Sequence, residues 1–133
     1  MHGLTRSNDN FDRWLAGRGI KNGLTSRRPF RTLMAELGDT EVVVEAAKGK
    51  IGNGLGYIVM TETRAILVGQ AVRALASEST VESLDLGSIS AVVLDEGMFQ
   101  STLTLTTSSG DVTVDNMTSG ADRVADALRA ATA

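Results

Sequence analysis

Apolar residues near the start of the chain recur with the period of a helix. Phe11, Trp14 and Leu15 stand at positions i, i+3 and i+4, and Gly17 and Gly19 follow them. This spacing places the three side chains on one side of a short helix, which the glycines end. The sequence therefore predicts a brief amphipathic helix at this point.

A second helical stripe lies further along the chain and has clearer ends. Pro29 suits a first helical turn, and Gly38 supplies a stop. Between them, apolar residues recur at i, i+3, i+4 and i+7, at Phe30, Leu33, Met34 and Leu37. A stripe of this kind needs another surface to pack against.

The hydrophobic period changes from 3.6 to 2 after residue 40, which predicts strands. Alternating or continuously apolar runs indicate about seven of them, at residues 42–46, 57–60, 64–68, 84–86, 89–94, 102–106 and 111–115. The glycine-rich run 49–56 predicts a turn, and residues 70–80 are predicted to be irregular. We accordingly divide the chain into a basic helical N-terminal extension, residues 1–39, and a β domain, residues 40–133.

A third helix is predicted after the last strand. Ser119 and Asp122 form an S/T-x-x-D/E pattern, which opens many helices. Four apolar residues then share one face: Ala121, Val124, Ala125 and Leu128. One helix after a series of short strands can cover one face, or plug one open end, of a bent sheet. The predicted fold class is mainly β (α+β), with the sheet capped by its C-terminal helix.

Charge is distributed unevenly along the chain. Residues 1–35 contain seven basic and two acidic residues, a net charge of +5, whereas residues 36–133 contain six basic and fourteen acidic residues, a net charge of −8. This division is typical of a basic arm that binds nucleic acid or an anionic surface, or of an arm that folds back onto its own acidic domain. The sequence leaves both alternatives open.

The residue types that most catalytic and metal sites need are scarce. The chain has no cysteine and one histidine, His2, so a thiol nucleophile, a cysteine-bound zinc and a Ser-His-Asp triad are not expected. Carboxylates are scattered over predicted turns and strands rather than paired. We therefore expect no catalytic residues, no metal and no cofactor. Since no apolar run approaches the roughly 18 residues of a membrane span, we expect a cytoplasmic protein.

Four segments stand in an order and spacing that match a known family. They are the Thr61-x-x-Arg64 turn before an apolar strand, the Ile89-Ser90 start of a long apolar run, the TSSGD turn and the closing helix ADRVADALR. Over about residues 40–131 the chain thereby resembles the bacterial pleckstrin-homology-like (PH-like) domains, in particular the YokE-like group. The resemblance implies a seven-stranded, partly open antiparallel barrel capped by the C-terminal helix. The ten arginines against three lysines, with abundant Ala, Val, Gly and Thr, are typical of a high-GC bacterial or viral genome, so we expect a bacterial or phage protein.

The same resemblance implies a binding and scaffolding role rather than a reaction, in a fold whose bacterial members often self-associate. It places the strand Ile89–Leu94 at an open edge beside the C-terminal helix. We expect Ile89, Ala91 and Val93 to face the core and Val92 and Leu94 to need another cover. These two residues are the predicted binding site for a protein partner or a second copy, unless the helix that begins near Pro29 covers them within the chain.

Two groups of basic residues are candidates for anion binding. Arg27, Arg28 and Arg31 stand at the positive end of their own helix, where each costs about 0.3–1 kcal/mol. This position favours either an external anion or pairing with acidic residues of the β domain. Lys48 and Lys50 flank the glycine-rich turn, but the next strand brings no further Arg or Lys, so a lipid headgroup is not expected. The glycines match no phosphate-loop pattern.

The function predicted from these observations is that of a non-enzymatic PH-like interaction or scaffold module. It would bind a protein partner or form homo-oligomers. The alternative is binding of nucleic acid or an anionic surface through the basic residues 1–35.

Overall fold

The computed structural model of the chain describes residues 3–23, 27–52, 54–73 and 76–132. Within these residues, three α-helices and seven strands follow in the order α1 (Phe11–Ala16), α2 (Arg27–Glu36), β1 (Val43–Ile51), β2 (Gly54–Thr61), β3 (Arg64–Arg73), β4 (Ala76–Asp85), β5 (Ile89–Glu96), β6 (Ser101–Thr107), β7 (Gly110–Met117) and α3 (Ala121–Thr132). A 3-10 turn, Leu86–Ser88, joins β4 to β5. The three helices predicted from the sequence are confirmed.

The described strands form one antiparallel sheet in the order β4-β3-β2-β1-β7-β6-β5. Within the described residues, β1 and β7 share a single residue pair, Lys50 with Asp115. The sheet therefore divides into two halves, β1–β4 and β5–β7, and its end strands β4 and β5 are not neighbours. The expected fold, a mainly β and partly open barrel capped by a C-terminal helix, is confirmed.

A glycine makes the narrow junction between the two halves possible. A Cβ atom added to Gly49 would lie 2.5 Å from Val114 Cγ1 and 2.8 Å from the carbonyl oxygen of Asp115. Gly49 and Gly56 lie opposite each other within β1 and β2, so the turn predicted over residues 49–56 is too long. The run contains glycine partly because the strands approach closely there, and only partly because the chain turns.

The inner face of the sheet and α3 enclose one hydrophobic core. The helix contributes the stripe predicted from the sequence, Ala121, Val124, Ala125 and Leu128, and all four residues are buried. The sheet contributes Ile58, Met60 and Leu67 from its first half and Leu103, Leu105 and Val114 from its second. Because α3 packs on both β1 and β5, it holds the two halves together.

The outer face of β1–β3 is covered by the N-terminal extension, which builds a second hydrophobic core. The extension supplies Phe11, Leu15, Ile20, Phe30, Leu33 and Leu37, and the sheet supplies Val43, Ala46, Tyr57, Val59, Ile66 and Val68. Since side chains alternate along a strand, Tyr57 and Val59 face the helices while Ile58 faces α3. β1–β3 are thus covered on both faces.

The prediction that residues 70–80 are irregular is wrong. β3 continues to Arg73, β4 begins at Ala76, and the two strands pair from Arg64–Asp85 as far as Arg73–Ala76. Leu75, one of the residues behind the expectation, lies outside the described residues. β4 is an end strand rich in Ser, Thr and Glu, so backbone pairing specifies it without a strong hydrophobic period.

Candidate functional site

β5 presents a free edge beside α3. It pairs with β6 on one side, and in the part of the chain that the structure describes no strand lies along its other side. α3 packs against β5 from the inner face. An unpaired edge carries N–H and C=O groups that another extended chain can bind. The predicted position of this strand, at an open edge beside the C-terminal helix, is thus confirmed.

The face assignment predicted for β5 is wrong. The pairing of β5 with β6 shifts between Ile89 and Ala91, and an extra residue of this kind moves all later side chains to the opposite face. Val92 and Leu94 therefore point inward and pack against the inner core. Val93 points outward and is 53 % exposed.

The expected alternative, in which the helix beginning near Pro29 covers Val92 and Leu94, is also wrong. That helix, α2, packs on β2, β3 and β4, and its Phe30 and Leu33 belong to the outer core. Val92 and Leu94 are covered by α3 instead. They stay half-buried rather than fully buried, because β5 has α3 on one face and solvent along its free edge.

Arg129 of α3 reaches the free edge of β5. Its Nε donates to the carbonyl oxygen of Val92 over 3.4 Å, and its other contact is a loose pair with Asp126 at 3.7 Å. The contact indicates that the Val92 carbonyl points away from β6. Because backbone groups alternate along an antiparallel strand, the N–H and C=O groups of both Val92 and Leu94 point toward the free edge.

Two large apolar residues stand exposed at the tip between β5 and β6. Met98 and Phe99 are 89 % and 84 % exposed, and the N–H of Gly97 donates to the carbonyl oxygen of Gln100 at 2.8 Å to close the turn. A pocket of about 210 Å³ lies beside this tip, between the end of β5 and the start of α3, with Glu96 and Asp122 in its lining. The tip thus adds apolar surface to the free edge.

The five candidate anion-binding residues lie on two separate elements. Arg27, Arg28 and Arg31 are exposed at the start of α2, and among the described residues Arg27 and Arg31 form no ion pair. Lys48 and Lys50 are exposed on the outer face of β1. Since α2 packs on β2–β4, the structure gives two basic surfaces rather than one cluster.

Two other arginines of the extension form ion pairs with residues of the same chain. Arg6 pairs with Asp39 and donates to the carbonyl oxygen of Met34 at 2.6 Å. Arg18 donates to Oε1 of the buried Glu45 at 2.8 Å, and Arg123 of α3 donates to the same oxygen at 2.9 Å. Of the two alternatives for the uneven charge, folding back onto the acidic domain accounts for Arg18, whereas Arg6 pairs within the extension itself.

The Thr61-x-x-Arg64 turn fastens the extension to the sheet. Thr61 is fully buried, and its Oγ1 accepts hydrogen bonds from the backbone N–H groups of Thr63 at 3.2 Å and Arg64 at 3.1 Å. The Arg64 guanidinium then donates to both carboxylate oxygens of Glu41, at 2.7 and 2.8 Å, and to Oε1 of Glu36 in α2 at 2.7 Å. A planar fork of donors suits such a paired carboxylate.

This pairing changes the acidity of Glu41. Hydrogen bonds from the Arg64 guanidinium, helped by the backbone N–H of Gly38 at 3.1 Å, lower the pKa of Glu41 from 4.5 to about 2. The same bonds raise the pKa of Arg64 above its ordinary value. Both groups therefore stay charged at neutral pH, and their pair connects the segment after α2 to β3.

Acid is expected to weaken this connection. Because the pKa of Glu41 is lower in the folded chain than its ordinary value, ionised Glu41 stabilises the fold above pH 4.5, and this contribution is lost as the pH falls toward about 2. Glu41→Gln should lower the free energy of unfolding by about 1–2 kcal/mol near neutral pH, allowing for solvent screening, and by close to nothing at about pH 2.

Urea unfolding of the wild-type chain and the Glu41→Gln variant at both pH values measures the difference. Arg64→Gln is the control, because removal of the guanidinium should remove the same part of the pH dependence. An equal effect of Glu41→Gln at both pH values would contradict the prediction.

The structure contains neither a metal-binding cluster nor a membrane-spanning helix within the residues it describes. No group of three or more His, Cys, Asp or Glu residues in that part of the chain could hold a metal ion. None of its described helices is long and apolar enough to cross a membrane.

Fold and edge together define a class of protein. A half-open, seven-stranded antiparallel sheet, capped by a C-terminal helix and with a free strand beside that helix, is a PH-like domain. The chain belongs to the family of bacterial PH domains, whose model matches residues 37–131. The finer assignment to the YokE-like group stays a prediction.

A solved structure is similar to this chain in fold. It is the crystal structure of the C-terminal domain of an unknown protein from Leishmania infantum, with 17 % sequence identity and a TM-score of 0.53 over 80 % of this chain and 93 % of that one. At this identity the similarity concerns the fold alone. No curated protein matches the chain.

Proposed function

We propose that the chain is a non-enzymatic interaction module that binds an extended segment of a protein, or of a second copy of itself, along the free edge of β5. The single observation that carries the proposal is the free edge, where the backbone groups of Val92 and Leu94 point away from β6. Main-chain hydrogen bonds to such an edge give affinity, and neighbouring side chains give selectivity.

Three neighbouring features support this site. Val93 offers an exposed apolar side chain on the outer face of β5, and Met98 and Phe99 extend the apolar surface beyond the end of the strand. Arg129 provides a half-exposed cation at the same edge. Met98 and Phe99 are neighbours in sequence and both almost fully exposed, which is more typical of an interaction surface than of single scattered apolar residues.

Hydrogen exchange of single backbone amides tests the proposal. A peptide is first selected from a random library with the immobilised chain and then titrated into the labelled chain. We expect it to slow exchange at the amides of Val92 and Leu94, which face the free edge, and to leave the Val93 amide, which faces β6, unchanged. Peptides that protect other surfaces only, or a library that yields none, would contradict the proposal.

A second candidate is binding of nucleic acid or another polyanion by the start of α2. Arg27 and Arg31 support it, because both are exposed and neither forms an ion pair within the described residues. Lys48 and Lys50 offer a further basic surface on β1. This candidate uses exposed basic side chains, whereas the first uses the free edge of a strand.

Replacement of Arg27, Arg28 and Arg31 with Gln is expected to leave the chain folded. Relief of the helix dipole offsets the loss of surface pairs that are worth only about 0–1 kcal/mol each, so the urea midpoint should change little. If the second candidate is correct, the wild-type chain binds heparin at about 50 mM salt and is released near 200 mM, and the variant is not retained. A fall in stability of several kcal/mol would instead mean that these arginines dock the extension.

A further inference from the structure

The free edge of β5 is complementary to itself. It has an exposed valine at its centre, Val93, a carboxylate at its end, Glu96, and a half-exposed guanidinium beside its middle, Arg129. β4, the other end strand, lies against α2. The apolar centre and the two opposite charges of the β5 edge would suit a partner strand that carries the same groups.

We propose that the partner of this edge is a second copy of the chain, bound across a two-fold axis so that the two β5 strands pair antiparallel and meet at Val93. The inference rests on the proposed function, because it takes the β5 edge as the interaction site, and it adds the identity of the partner. A two-fold interface uses the same patch on both copies, so the patch must complement itself.

The backbone groups fit this register. With Val93 opposite Val93 of the second copy, Val92 lies opposite Leu94 of that copy, and Leu94 opposite its Val92. In an antiparallel pair, the residues that exchange both hydrogen bonds are those whose N–H and C=O point toward the partner. Val92 and Leu94 are the residues whose groups face the free edge.

The outward side chain at the centre of the edge fits as well. Residues opposite each other without mutual hydrogen bonds have their side chains closest together. Val93 is such a residue in this register, and it is 53 % exposed in the single chain. Pairing would therefore bury two valine side chains against each other.

The charges of the edge are complementary in the same register. Glu96 lies opposite Ser90 of the second copy, so no two carboxylates of β5 stand opposite each other. Glu96 shares the inward face of the strand with Val92 and Leu94, and Arg129 reaches that side of the strand from α3. Each copy thus offers a carboxylate near the guanidinium of the other. The 3.4 Å hydrogen bond from Arg129 to Val92 is long and weak, so it can break when the second copy binds.

The molar mass of the full chain in solution tests the inference. Size-exclusion chromatography with light scattering should give twice the chain mass at high concentration. Val93→Lys places two like charges against each other and should weaken the dimer about ten-fold or more. Val81→Lys is the matched control, because Val81 is an exposed valine, 39 % accessible, on the other end strand, and it should leave the mass unchanged.

Exchange of charges tests the register. Glu96→Lys and Arg129→Glu should each weaken the dimer, and the double variant should restore most of the affinity. Thermal unfolding by circular dichroism confirms that each variant is folded. A chain that stays monomeric at the highest concentration, a dimer that Val93→Lys leaves intact or that Val81→Lys weakens equally, or a double variant that restores nothing would each overturn the inference.

Hydrogen exchange in the pure protein separates this inference from the proposed function. Protection of the Val92 and Leu94 amides that increases with chain concentration supports the second copy as the partner. If these amides exchange rapidly at every concentration while a selected peptide protects them, the inference is wrong and the proposed function holds.

Discussion

A chain that lacks residues 1–37 is expected to lose its cooperative unfolding transition. The deletion removes the six apolar side chains that the extension places in the outer core, and it leaves Tyr57, Val59, Ile66 and Val68 exposed on the sheet. Burial of one large apolar side chain contributes about 1.5–3 kcal/mol. The summed loss is comparable with the whole stability of a domain of this size, about 5–15 kcal/mol.

Thermal unfolding of the truncated and full chains, followed by circular dichroism, measures this effect. A milder variant keeps the test quantitative: Leu33→Ala, at a fully buried position, should cost about 2–5 kcal/mol. Phe99→Ala, at an 84 % exposed position, is the control and should stay within about 0.5 kcal/mol. A truncated chain that melts at the parent temperature would mean that the extension is a separate appendage.

The sequence predicted both helices of the extension but not the surface that they cover. The stripe of α2 requires an apolar partner, and its period says nothing about which one. A usable signal was present in the strands, because residues 57–60 and 65–68 are apolar at every position. A strand of that kind is covered on both faces, and the apolar stripes of the extension could have been assigned to the outer one.

The same pattern was misleading in β5. Its run from Ala91 to Leu94 is continuously apolar, yet only Val92 and Leu94 pack inward, and Val93 faces solvent. The difference comes from the irregular pairing after Ile89, which sequence alternation does not reveal. A charge at Val92 or Leu94 would therefore disturb the contact with α3, whereas Val93 can be replaced without a change in the core.

The candidate site was predictable in part. The edge position of β5 followed from the family resemblance, but the role of Arg129 depends on where α3 lies over the strand. Met98 and Phe99 did carry a signal, because large apolar residues are unusual in the turn that Gly97 opens. The Arg64–Glu41 pair joins residues 23 positions apart, so no local sequence pattern predicts it.

Removal of residues 119–133 is expected to unfold the chain. α3 packs on both β1 and β5, and within the described residues β1 and β7 are paired as strands only at Lys50–Asp115. Without Val124 and Leu128, the inner core loses one wall, at about 1.5–3 kcal/mol for each large side chain exposed. The truncated chain should therefore show no cooperative thermal transition by circular dichroism.

Single substitutions on α3 show how much of its effect on stability comes from its buried side chains. Leu128→Ala, at a fully buried position, should lower the free energy of unfolding by about 2–5 kcal/mol, whereas the exposed Asp126→Ala should change it by about 0.5 kcal/mol or less. A helix-deleted chain that still melts cooperatively at the parent temperature would contradict the prediction. It would mean that the halves of the sheet hold together through the junction at Gly49, where β7 is too close to leave room for a side chain at residue 49.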